Sequence, residues 1–185
     1  MTDAELLAAI REHAWLEGDF VLRSGRRSSF YLDKYRFETQ PELLDAIGGR
    51  VAAKAAGVEP DAVRLAGPEL GAVPVVAAAS LRGGLPFVIV RKQAKEYGTA
   101  NRLEGAFEAG ERVCLVEDVV TSGGAAVESV EALREAGLEC RNTVCVIDRE
   151  EGGADALARV AVRLWPLFTA AQVAEAAKPP QIPHG

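Results

Sequence analysis

Two spacings of apolar residues alternate along this chain. Near the N-terminus Leu6, Leu7, Ile10 and Ala14 recur at helical intervals, and Thr2 with Glu5 forms a capping box ahead of them. Gly18 is the expected stop. The segment FVLRSGRRSSFYLDKYRF predicts two short strands, 20–22 and 30–32, around a Gly/Ser turn. Thr39 with Glu42, and Pro41 in the first turn, open a second helix that runs to about Ala56. Beyond Pro60 short apolar runs take over, and 62–67, 86–90, 112–118, 139–149 and part of 159–168 read as strands. Between them 71–84 and 124–136 read as helices, the first with Pro74 in its opening turn and the second closed by Gly137. Thr169 with Gln172 caps a last short helix, and residues 179–185 form a loose tail.

Strands that are apolar throughout and alternate with helices predict an α/β fold, a central, mainly parallel sheet flanked by helices on both faces. Ligands of such sheets bind at the carboxyl ends of the strands. Here those ends are 67–71, 91–98, 117–125 and 148–149. No tandem repeat and no linker-like stretch interrupts the pattern. Residues 1–185 therefore read as one domain, with 1–40 supplying an N-terminal helix and a small hood.

Composition narrows the function classes. The chain has 185 residues, 49% hydrophobic and 26% charged, enough to bury a core without disulfides or a structural metal. Its 27 acidic and 21 basic residues give a net charge of −6, which argues against non-specific binding to nucleic acid or an anionic membrane. Cys114, Cys140 and Cys145 lie in or beside apolar runs without CxxC spacing, as buried reduced thiols do. His13 and His184 leave almost no material for a zinc site or a Ser-His-Asp triad. No run is apolar enough to span a bilayer, and no basic segment precedes an apolar core at the N-terminus, so the expected location is the cytoplasm.

The most informative stretch is RVCLVEDVVTSGGAAVESVEAL. An apolar strand runs into Glu117 and Asp118, then Val119 and Val120, then Thr121, Ser122, Gly123, Gly124 and Ala125, then a helix. Successive backbone N–H groups at such a turn can surround a phosphate, helped by the helix dipole. The hydroxyls of Thr121 and Ser122 add donors, and the glycines let the backbone approach closely. Two carboxylates cannot face that same phosphate without repulsion. They suit neutral hydroxyls such as a ribose diol, or Mg²⁺ reached through water. The pattern is neither GxGxxG nor GxxxxGK[ST], so a dinucleotide fold and a P-loop NTPase lose support. A strand–turn–helix with two solvated acids is the bland alternative.

This stretch resembles the phosphoribosyl-pyrophosphate signature of the type I phosphoribosyltransferases. The resemblance implies that Glu117 and Asp118 take the ribose hydroxyls and that residues 121–125 hold the 5′-phosphate. The run RKQAKEYGTANRLEG after the strand 86–90 is concentrated positive charge in an acidic chain. Cations on a hinged loop suit a departing pyrophosphate. The run resembles the catalytic loop of orotate phosphoribosyltransferases, which matches Arg91, Lys92, Lys95 and Tyr97 and crosses to the neighbouring subunit of a homodimer. Many members carry His at the position of Tyr97.

FVLRSGRRSSFYLD resembles the base-covering segment of the same family, with Ser24, Gly25, Ser28, Tyr31 and Asp33 in place. Phe30 and Tyr31 are the aromatic pair for a flat pyrimidine, and Arg23 stands where the family often has Lys. Asp148 and Arg149 end the fourth strand, where an Arg can pair bidentately with a carboxylate. In the family the matching Arg recognises orotate, together with the Thr at the position of Thr121. AGPELGAVPVV corresponds to the loop under the pyrophosphate, with Glu69 expected to point away from that anion.

The four motifs occur in the family's order from about residue 18 to about residue 165. They imply a type I phosphoribosyltransferase-like fold and catalysis by Arg91, Lys92, Lys95 and Asp118. The implied reaction joins orotate to 5-phospho-α-D-ribose 1-diphosphate, giving orotidine 5′-phosphate and diphosphate in UMP synthesis. Mg²⁺ is the implied cofactor, held through substrate. Two rivals remain at this point: a transferase for another base, and a non-catalytic phosphoribosyl-pyrophosphate sensor.

Overall fold

The computed structural model describes residues 1–21, 25, 27–92 and 102–176. Helix α1 (Asp3–Ala14) starts on the expected capping box: Glu5 N donates to Thr2 Oγ1 at 3.2 Å and Thr2 N to Glu5 Oε2 at 2.6 Å. Its buried face is Leu6, Ile10 and Ala14. The helix does not reach Gly18. The backbone becomes extended at Trp15, and Gly18 lies inside strand β1 (Trp15–Val21), which pairs antiparallel with β2 (Arg27–Leu32). Leaving the helix lets Trp15 stack on Phe30 across the hairpin, with ring centroids 4.0 Å apart and planes within 8°.

Thr39, expected to open the next helix, instead closes a short one. Its hydroxyl donates to Tyr35 O at 2.6 Å at the end of α2 (Tyr35–Glu38). Helix α3 (Pro41–Val58) then begins behind Gln40 with no side-chain cap, its Pro in the first turn as expected.

The remaining elements are β3 (Arg64–Pro68), α4 (Ala72–Gly83), β4 (Phe87–Val90), β5 (Leu103–Glu104), β6 (Arg112–Val120), α5 (Gly124–Glu135), β7 (Glu139–Asp148), α6 (Gly153–Arg159), β8 (Arg163–Thr169) and α7 (Ala170–Glu175). The sheet order is β5-β4-β3-β6-β7-β8, parallel except for the antiparallel edge strand β5. Neither β5 nor α6 was foreseen, since two and seven residues are too few to display a period.

Alternation along β6 divides the core. Cys114 and Val116 face the layer of α1, α3, α4 and α7, while Val113 and Leu115 face α5 and α6. All three cysteines are buried and free, as expected. The strand order reverses direction between β3 and β6: the chain moves from β3 outward to β4, then returns to β6 on the other side. Loops leaving β3 and β6 therefore diverge, and the crevice between them is where ligands of such sheets bind. Among the described residues no helix is long and apolar enough to cross a membrane.

Candidate active site

The acid pair ends a strand that is buried almost throughout, so both carboxyls are carried inside with it. Glu117 is 6% exposed and Asp118 2%. Asp118 continues the face of Cys114 and Val116 toward the hood side. There its Oδ2 accepts a hydrogen bond from Lys34 Nζ, while its Oδ1 accepts from the Val119 amide. Lys34 immediately precedes α2, and Glu38 sits one turn further on. Glu38 is 1% exposed, and neither of its carboxyl oxygens has a donor within reach. Burial, with Asp118 beside it, pushes its carboxyl up to about 8. Burial and Asp118 likewise push Glu117 up to about 8. A proton on Glu38 gives it a donor to offer Asp118. Burial works against charge on Lys34, but attraction and hydrogen bonding to Asp118 outweigh it and raise its pKa.

The turn after β6 opens toward solvent. Ser122, Gly124 and Ala125 are exposed, and α5 begins at Gly124 with no side chain capping its first amides. Gly123 has φ +82°, and a Cβ there would meet Gly153 O at 2.9 Å and Ala156 Cβ at 3.0 Å. Only glycine fits that position.

The basic segment leaves the sheet between β4 and β5. Its root is pinned: Arg91 N donates to Arg102 O at 2.8 Å and Arg102 Nε to Arg91 O at 3.4 Å. The Arg91 guanidinium reaches Glu104 at 3.3 Å and Glu69 at 3.8 Å. Glu69 Oε1 also accepts from Lys92 N at 2.8 Å. The Glu69 carboxylate is thus turned to the root of the basic segment. Lys92 is exposed.

Across the crevice the hood brings Phe30 to Arg149. The guanidinium carbon lies 5.6 Å from the Phe30 centroid, and Trp15 stacks beneath the same ring. Arg149 follows β7, where its amide donates to Val120 O at 2.9 Å, next to the turn that starts at Thr121. Its side chain is 11% exposed; Nη2 pairs with Glu151 Oε1 at 2.9 Å, and Nε is buried without a partner. Tyr31 takes the opposite side of β2, exposed and tilted against Phe20 at 5.7 Å.

The structure therefore gathers Arg91, Lys92, Glu117, Asp118, residues 119–125, Phe30 and Arg149 at the carboxyl end of the sheet. Tyr31 points elsewhere. Arg23, Lys95 and Tyr97 lie outside the described residues, as does the tail. Sequence reasoning missed Lys34, Glu38, Trp15 and Glu151. Only Lys34 and Glu38 carried a signal, two opposite charges at helical spacing beside an aromatic-rich segment.

Comparison with known proteins decides the family. The model of the phosphoribosyl transferase domain matches residues 37–168. An orotate phosphoribosyltransferase of Halobacterium salinarum is 47% identical over 173 residues, covering 93% of this chain and 97% of that protein. The chain belongs to the orotate phosphoribosyltransferases. Two solved members share its fold. That of Aeropyrum pernix has a TM-score of 0.80 at 34% identity, covering 94% of this chain and 97% of its own. That of Mycobacterium tuberculosis in complex with 5-phospho-α-D-ribosyl 1-diphosphate has a TM-score of 0.77 at 29% identity, covering 93% and 98%. Orotate phosphoribosyltransferases are pentosyltransferases, and the expected type I fold, with its mainly parallel sheet and hood, is the one observed.

Among the described residues no three His, Cys, Asp or Glu side chains gather as a metal cage. Glu117 and Asp118 offer hard carboxylate oxygens, and both oxygens of Asp118 already have partners. That donor set fits Mg²⁺ held by substrate and touched by the protein through water.

Proposed function

We propose that this protein transfers the phosphoribosyl group of 5-phospho-α-D-ribose 1-diphosphate to orotate, giving orotidine 5′-phosphate and diphosphate in de novo pyrimidine synthesis. One observation carries the choice of base. Arg149 stands beside the phosphate turn with a buried, unpartnered Nε and an aromatic ring on its flank. A carboxylated pyrimidine supplies the missing acceptor, its carboxylate on the guanidinium that Phe30 flanks.

The resemblance to the family supports the roles of the individual residues. Residues 121–125 bind the 5′-phosphate through backbone amides and the hydroxyls of Thr121 and Ser122. Glu117 and Asp118 accept hydrogen bonds from the ribose hydroxyls. Arg91, Lys92 and Lys95 neutralise the diphosphate, and Tyr97 lies on the same segment. Arg23 completes the base-binding set, while Tyr31, expected there from the resemblance, lies on the other side of β2 against Phe20. Glu117 and Asp118 would hold Mg²⁺ through water, and the ion would supply charge to screen the diphosphate.

The reaction forms the bond from the orotate ring nitrogen to the anomeric carbon as the C–O bond to diphosphate breaks. Diphosphate leaves with the bonding electron pair, and the proton of the ring nitrogen is released to solvent. The nucleophile belongs to the substrate, so no activated Ser, Cys or His is needed. The side chains position the reactants and stabilise developing charge. The enzyme works as a cytoplasmic homodimer whose basic loop reaches the neighbouring active site.

The test is a steady-state assay with Mg²⁺ and the phosphoribosyl donor, following loss of orotate absorbance, with uracil and hypoxanthine in parallel. Turnover of orotate alone is the expected result. Preference for hypoxanthine would establish a transferase for another base. Donor binding without turnover of any base would establish a sensor.

A further inference from the structure

Lys34 belongs to none of the motifs that mark the site, yet it reaches the centre of it. Its position is set by the hood. Asp33 N donates to Ala14 O at 2.9 Å, which ties the hairpin to the end of α1, and Lys34 O accepts from Phe37 N at 3.1 Å and Glu38 N at 3.0 Å. The side chain then crosses to Asp118 on β6.

Two further observations place the ammonium over the diphosphate side of the crevice. The first is Gly71, which precedes α4 in the loop that follows β3. A Cβ on Gly71 would overlap Asp118 Oδ2 and stand 2.5 Å from Lys34 Nζ. The ammonium and the Asp118 carboxylate thus both lie directly against that loop. The second is exposure. The Lys34 side chain is 32% exposed, while its partner Asp118 is sealed. An ammonium has three donors, and Asp118 takes one of them. A lysine that served only as an internal counter-charge would be expected to turn its remaining donors to protein acceptors.

Charge points the same way. Glu38, Glu117 and Asp118 converge on this one ammonium from α2 and β6. Lys34 is the cation that faces these acids, so it also offsets their repulsion of a diphosphate.

Resting on the reading of the site as one for a phosphoribosyl diphosphate, we propose that Lys34 is a substrate-binding residue. It holds Asp118 with one donor and hydrogen-bonds the diphosphate group with another, which adds a cation from the hood to those of the basic segment.

The test separates the two ends of the donor. Affinities for inorganic diphosphate and for ribose 5-phosphate are measured by calorimetry at fixed Mg²⁺. Three proteins are compared: the wild type, Lys34→Arg, and the double variant Lys34→Met with Glu38→Gln. In the double variant Glu38→Gln keeps the shape of the protonated carboxyl and cannot ionise once the ammonium is gone, which protects the fold if Lys34→Met alone fails. The expected result is diphosphate binding weakened tenfold or more in the double variant, with ribose 5-phosphate affinity within about threefold of wild type and a smaller diphosphate loss in Lys34→Arg. Unchanged diphosphate affinity would overturn the assignment alone, and so would equal loss of both ligands, which marks a purely structural pin. A wild type that binds neither ligand would overturn the reading of the site together with this assignment.

Discussion

Arg149 Nη2 lies 2.9 Å from Glu151 Oε1 on the same loop, so the guanidinium read as the orotate anchor is already engaged by a carboxylate of the chain. Glu151 competes with orotate for the same charge. Glu151→Gln should lower the KM for orotate by roughly two- to fivefold, the equivalent of about 0.5–1 kcal/mol for a partly exposed ion pair. The KM for the phosphoribosyl donor should stay unchanged, and the effect should shrink as salt is raised. A raised KM for orotate would show instead that Glu151 orients Arg149.

Arg149 itself should behave as an orotate residue. Arg149→Lys keeps the charge but loses the planar fork. It should raise the KM for orotate by about tenfold or more, as expected from the loss of a charge-assisted hydrogen bond of about 1.5–3 kcal/mol. Donor affinity, measured by calorimetry without orotate, should be preserved.

Gly123→Ala combines a positive φ with a steric clash against Gly153 O. A destabilisation of about 1–3 kcal/mol is expected. The melting temperature should fall, and ribose 5-phosphate should bind more weakly even where the variant is folded. Unchanged binding would mean that the turn's amides do not hold the phosphate.

Lys92 is exposed at the root of the basic segment. Lys92→Ala should therefore lower turnover strongly, by about a hundredfold if it stabilises the leaving group, at an unchanged melting temperature. Near-normal turnover would remove Lys92 from the chemistry.

The buried acids set a pH dependence with a definite sign. Glu38 and Glu117 are raised from 4.5 to about 8 on folding. Between those values the native state holds protons that the unfolded chain has lost. Stability is therefore fully present below about pH 4.5 as far as these groups are concerned, and falls as pH rises toward 8. The slope is at most about 1.4 kcal/mol per pH unit for each proton held. Glu38→Gln mimics the protonated carboxyl and should flatten the decline, giving a higher melting temperature than wild type at pH 8. Thermal melts across pH 5–9 in one buffer series check this. An unchanged decline would show that Glu38 is ionised in the native state.

Much of this protein was determined by local sequence. The capping boxes of Thr2 with Glu5 and Thr169 with Gln172 need only residues three apart, and both formed. The apolar runs around Ala66, Ile89, Leu115 and Val146 read as parallel strands because burial on both faces leaves no polar position. The turn from Thr121 to Ala125 was legible because strand, acid pair, glycines and helix are contiguous.

Other features were decided only by tertiary structure. Trp15 leaves a helical context to stack on Phe30, and Thr39 caps the helix behind it rather than the one ahead. The strand order that opens a crevice between β3 and β6 depends on which side each crossover takes, which no single segment encodes. Lys34 and Asp118 are 84 residues apart, and Arg149 meets Phe30 from a different element. Such pairs depend on the free energy of packing the hood against the sheet, a property of the whole chain and not of the spacing within any part of it.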